Sequence, residues 1–74
     1  MNNNFLLKLI SEELSETLFF ATGCLVKKVK TTTGITLTAG KVLLELISQN
    51  NINVNGVKFK SSVAARRQIQ LITI

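Results

Sequence analysis

The chain has no histidine, no proline, no tryptophan and no tyrosine, one cysteine, and only four acidic side chains. Each shortage excludes something. Without histidine there is no His-bearing metal site and no Ser-His or Cys-His couple for nucleophilic catalysis. A single cysteine, Cys24, cannot close an internal disulfide, which suits a reducing, cytoplasmic setting. Its neighbours are apolar and it has no acid–base partner in the sequence, so it reads as a buried structural thiol. No linker, low-complexity segment or internal repeat interrupts the 74 residues, which therefore read as one small domain. With four phenylalanines as its whole aromatic complement, the core has to be mostly aliphatic. A domain this short buries only about 60% of its unfolded surface, so dimerisation stands open as a source of further burial.

Long apolar runs are also missing. The stretch Leu18 to Val26 is nine residues, against roughly 20 needed to span a bilayer. The N-terminal apolar residues follow no basic cluster and are broken by Lys8, Glu12, Glu13 and Glu16, unlike a secretory signal. No membrane partner is expected, and no cofactor.

What the chain does have is positive charge, unevenly spread. The net charge is +5. Lys8 against Glu12, Glu13 and Glu16 leaves residues 1–16 at −2, so residues 17–74 carry +7, with Glu45 their only acid. A cationic body of this kind attracts polyanions or acidic partners through a field that salt screens over roughly 8 Å at physiological ionic strength.

Leu6, Ile10 and Leu14 recur every four residues, with Leu7 and Leu9 beside them and Glu12 and Glu16 opposite. This spacing predicts an amphipathic helix over about residues 4–15, capped by an asparagine. Continued further, it puts Thr17 on the apolar face and Phe19 on the polar one, so a break or a strand is expected from "TLFFATGC". "CLVKKVK" (24–30) and "ITLT" (35–38), separated by "TTTG", suit a hairpin with Gly34 supplying a positive φ and with Lys28 and Lys30 on one strand face. Thr38 can then cap a second helix through "AGKVLLELISQ". There Leu43, Leu46 and Ile47 form an apolar stripe, Lys41 and Glu45 are an i, i+4 pair, and Asn50-Asn51 end the element. Ile52 and Val54 lead into Asn55-Gly56, the residues a type I′ turn requires, and Val57 and Phe59 lead out. "QLITI" at the end reads as an apolar strand. The expected fold is α+β, two helices packed on a small antiparallel sheet of hairpins.

No spacing supports catalysis. The acids lie on one helix surface, and Gly34 and Gly40 do not make a phosphate-binding loop, because "GITLTAGK" lacks the GxxxxGK[ST] pattern. Non-catalytic binding is the expectation. Lys27, Lys28 and Lys30 stand beside Thr31, Thr32 and Thr33, so ammonium and hydroxyl groups can donate to phosphate oxygens. Lys58, Lys60, Arg66 and Arg67 form a second group. In it the guanidinium forks of Arg66-Arg67 suit bidentate phosphate contact, and that pair ranks first among the candidates. The competing role for both groups is protection of exposed strand edges, a usual task for lysine. Phe59 is the only phenylalanine flanked by lysines; Phe5, Phe19 and Phe20 are assigned to the core.

"AGKVLLELISQNNINVNG" resembles the centre of the S4-like RNA-binding fold, in which a helix ending in Leu-Ile is followed by a turn and a strand reading Val-x-Val-Asn-Gly. Leu46-Ile47 stand for the Leu-Ile pair, and Ile52, Val54, Asn55 and Gly56 for the strand and its turn. The resemblance covers residues 39–72. It implies structured-RNA binding by basic residues around that helix and the following loop, namely Lys41, Lys58, Lys60, Arg66 and Arg67, and it places RNA before DNA. The rival from another class is a small adaptor or inhibitor, of the kind viruses and plasmids encode, binding a protein through an apolar helix or the "QLITI" edge.

Overall fold

A computed structural model describes residues 3–72, with side chains from residue 5 onward. The elements are α1 (Asn3–Thr22), β1 (Lys27–Lys30), β2 (Ile35–Ala39), β3 (Val42–Ser48), β4 (Asn51–Val54), β5 (Val57–Phe59) and α2 (Ser62–Ile72). The strands form one antiparallel meander in chain order, leaving β1 and β5 as edges. Both helices lie on the same face, α1 over β2 and β3, α2 over β4 and β5. The expected α+β arrangement of two helices on a sheet of hairpins is the one observed, although the second helix comes from a different part of the chain.

Strand alternation builds the core. Ile35, Leu37 and Ala39 of β2, Val42, Leu44 and Leu46 of β3, and Ile52 and Val54 of β4 point to the helices and are buried, while their neighbours face solvent. Leu14 and Leu18 of α1 and Ala65 and Ile69 of α2 close the layer from above, each at 0% exposure. Such a core is aliphatic, as the composition requires.

Three segments differ from expectation. The first is the end of α1, which runs unbroken to Thr22. Leu14, Leu18 and Ala21 continue the inward stripe past Thr17, and Thr17 and Thr22 return their hydroxyls to the carbonyls of Glu13 (3.1 Å) and Leu18 (2.7 Å). Phe19 and Phe20 are tolerated because they stay outside, like Phe5; none of the three joins the core assigned to it. The N–H of Gly23 donates to the Phe19 carbonyl (2.9 Å) and ends the helix.

The second is "AGKVLLELISQ", a strand and not a helix. Ala39 pairs with Val42 across a two-residue loop, Gly40-Lys41, with Gly40 at φ 60°, the first-position glycine of a type II′ hairpin. Once that loop reverses the chain, Val42, Leu44 and Leu46 can all bury only with period two, so Lys41 and Glu45 are not a helical pair. Asn50 likewise ends no helix: with Gln49 it turns β3 into β4, helped by the Asn50 N–H donating to the Ser48 hydroxyl (3.3 Å).

The third is the last element. "QLI" completes α2, the final two residues of "QLITI" lying outside the described residues. Ser61 caps this helix, accepting from the Ala64 N–H at its hydroxyl (3.2 Å) and from the Ala65 N–H at its carbonyl (3.1 Å), and Ala65 and Ile69 recur four apart on the buried side.

The Asn55-Gly56 turn is as expected, with φ 51° and 86°. Asn55 also ties the turn to β3. Its N–H donates to the Leu43 carbonyl (2.8 Å), and its Oδ1 accepts from the Leu43 N–H (2.7 Å).

Candidate nucleic-acid interface

β1 extends beyond the main footprint of the helices, and all four of its residues are exposed. The register sets which way each lysine points. Lys28 is opposite Leu37 and Lys30 opposite Ile35, so both lie on the helix-bearing side of the sheet, whereas Lys27 and Val29 lie on the open side with Thr38 and Thr36. Lys28 and Lys30 thus share a face, as the alternation predicted, and that face abuts the first turns of α1. Phe5 and Lys8 from α1, Lys28 and Lys30 from β1, and Thr31, Thr32 and Thr33 from the following loop line one open groove of about 540 Å³. No carboxylate lines it.

The loop floor is held in place by its own hydrogen bonds. The Thr31 N–H donates to the Gly34 carbonyl (2.7 Å), the Gly34 N–H donates to the Thr31 hydroxyl (3.1 Å), and the Thr31 and Thr33 hydroxyls are 3.2 Å apart. Gly34 is needed here for close approach. A side chain at this position would run into the backbone of β3 at Leu46 and Ile47.

The other basic candidates lie elsewhere. Lys41 is exposed in the β2–β3 turn. Lys58 is opposite Asn53 on the open side of β5, and Lys60 is exposed in the link to α2. Four strand spacings separate β1 from β5, about 19 Å, so Lys58 and Lys60 do not join the β1 group. Arg66 and Arg67 line a separate groove between the helices, opposite Glu12, Glu13 and Glu16 of α1. Arg66 pairs with Glu13 at 3.6 Å. The pair ranked first from sequence therefore sits against the chain's densest acidic stripe, which offsets its pull on a phosphate.

Two residues escaped the sequence reading. Phe5 is 58% exposed on the groove instead of buried, and Lys8 stands one helical turn from it. The i, i+3 spacing of "FLLK" was the available signal. Phe59, the aromatic flanked by lysines, turns its ring to the helix side and packs partly buried against the core. Cys24 is exposed in the α1–β1 connection, not buried, because β1 begins only at Lys27.

Among the described residues no cluster of three or more Cys, Asp or Glu could hold a metal ion. No helix there is long and apolar enough to cross a membrane. The chain matches no protein-family model, no curated protein and no solved structure. The stretch that resembles the S4-like fold runs here through β3, the Gln49-Asn50 turn, β4 and the Asn55-Gly56 turn, with a strand where the resemblance implies a helix.

Proposed function

We propose that this protein is a non-catalytic binder of single-stranded nucleic acid, RNA before DNA, with its site in the groove between β1 and the start of α1. The observation that carries the reading is the convergence of Lys8, Lys28 and Lys30 around an exposed phenylalanine, Phe5, with no carboxylate among the lining residues. Ammonium groups at the rim neutralise backbone phosphates, and an exposed ring beside them offers a stacking platform to one base. Duplexes are disfavoured because their bases have no free face for Phe5. Thr32 and Thr33 line the same groove, and their hydroxyls can both donate to and accept from a 2′-hydroxyl, which DNA lacks. With a single aromatic in the site, sequence preference is weak.

Fluorescence anisotropy with a labelled single-stranded RNA tests this. Three phosphate contacts on a single strand give a slope of log affinity against log salt near −2, so binding weakens about 20-fold between 50 and 200 mM salt. Phe5→Ala removes the stacking partner and costs roughly tenfold in affinity while leaving the salt slope unchanged. Absence of binding at the lower salt overturns the proposal.

A further inference from the structure

The fold is two layers, and the outer side of the helical layer is uncovered. Along it runs the groove between α1 and α2, flanked by apolar side chains that the core does not use: Leu9 (48% exposed), Phe20 (77%) and Val63 (57%). Phe20 is braced edge-on by Phe19, their ring centroids 5.8 Å apart. Charge is divided by helix. α1 brings Glu12, Glu13 and Glu16 to the groove, and α2 brings Arg66 and Arg67. Glu13 and Arg66 satisfy each other within the chain, but Glu12, Glu16 and Arg67 make no ion pair among the described residues.

We infer that a second copy of this chain covers this face, as a two-fold dimer whose axis runs along the groove. A two-fold interface has to be complementary to itself. Rotation about an axis along the groove lays α1 of one protomer on α2 of the other, so Glu12 and Glu16 meet the partner's Arg67, and the same contact forms twice. An axis across the groove would stack α1 on α1 and bring acid against acid. The arrangement of charge therefore selects both the occupant and its orientation. Phe20, about three helical turns beyond Leu9 on the same side of α1, supplies an exposed aromatic anchor toward one end of such an interface. The added burial is what a domain of this size lacks on its own.

The test is sedimentation equilibrium of the full chain over about 1 to 500 µM. A concentration-dependent dimer is expected, and Phe20→Asp weakens it at least tenfold, because an aromatic anchor is lost and a carboxylate is placed in the interface. All substituted side chains are exposed, so circular dichroism should show each variant folded. Two charge reversals then fix the geometry. Glu12→Lys with Glu16→Lys in one chain, and Arg67→Glu in another, each leave like charges facing across the homodimer and abolish it. Mixed in equal amounts they restore attraction in both halves and form a heterodimer. A wild-type chain that stays monomeric throughout overturns the inference. So does a dimer unaffected by Phe20→Asp, or a mixture that associates no better than either variant alone.

Discussion

Gly34→Ala puts the account of the β1–β2 loop to a quantitative test. A methyl group at this position would deeply overlap the carbonyl oxygen of Leu46 and would sit 3.0 Å from the Leu46 carbonyl carbon and 3.1 Å from the Ile47 Cα. All three are backbone atoms of β3, so no side-chain rotation relieves the overlap. The loop has to lift, or β3 has to shift where Ile47 already bulges between Leu46 and Ser48. Either movement disturbs the Ile35–Leu46 pairing at the start of β2. Overpacking alone costs about 1–3 kcal/mol, and a weakened terminal hydrogen bond about 1 more, giving roughly 3 kcal/mol. A domain of this length holds on the order of 4–11 kcal/mol in total, so the variant folds but melts about 12–24 °C lower. The control is Gly23→Ala, at φ 71° with no atom within 4 Å of the added carbon, where only the left-handed backbone is penalised, by about 1–2 kcal/mol. Urea unfolding of the three chains, followed by circular dichroism at one low concentration, measures the difference. Equal losses at the two glycines, or less than about 1 kcal/mol at Gly34, would refute the close-approach argument.

Other substitutions separate the remaining contributions. Asn55→Ala loses both tolerance of positive φ and the acceptor for the Leu43 N–H, and should cost about 2 kcal/mol in urea unfolding. Asn55→Gly keeps the conformation and should cost about half as much. Ser61→Ala removes the cap of α2 and should lower stability by about 1 kcal/mol, read from the midpoint of the same transition. Arg66→Ala breaks the Glu13 pair, but with side chains 42% and 53% exposed that pair contributes less than about 0.5 kcal/mol, so the melting temperature should barely move.

Much of this was legible in the residues where local chemistry leaves one solution. Asn55-Gly56 fixes its hairpin by itself, and Lys28 and Lys30 share a face in any strand that holds them both. "VLLELI" was ambiguous because leucine occupies both faces of β3. Leu43, Leu46 and Ile47 fit a helix as well as Val42, Leu44 and Leu46 fit a strand, and the choice belongs to the Gly40-Lys41 reversal and the pairing partners on either side. α2 was missed for a related reason: "QLITI" taken alone is β-like, and its helical identity rests on the Ser61 cap and the Ala65–Ile69 spacing upstream. The site was half legible. The lysines and threonines of residues 28–33 are neighbours in the chain, but Phe5 and Lys8 reach them only through tertiary packing. That same packing sets Arg66 and Arg67 against Glu12, Glu13 and Glu16, and no local pattern foretells it.

The most direct test compares three double variants in single-stranded RNA binding at low salt: Lys28→Gln/Lys30→Gln, Lys58→Gln/Lys60→Gln and Arg66→Gln/Arg67→Gln. If the groove beside β1 is the site, the first loses two phosphate contacts and its salt slope falls by about 1.4, while the other two stay close to wild type. If instead the first binds like wild type and either of the others loses the RNA, the site lies elsewhere and the reading of the β1 groove is wrong.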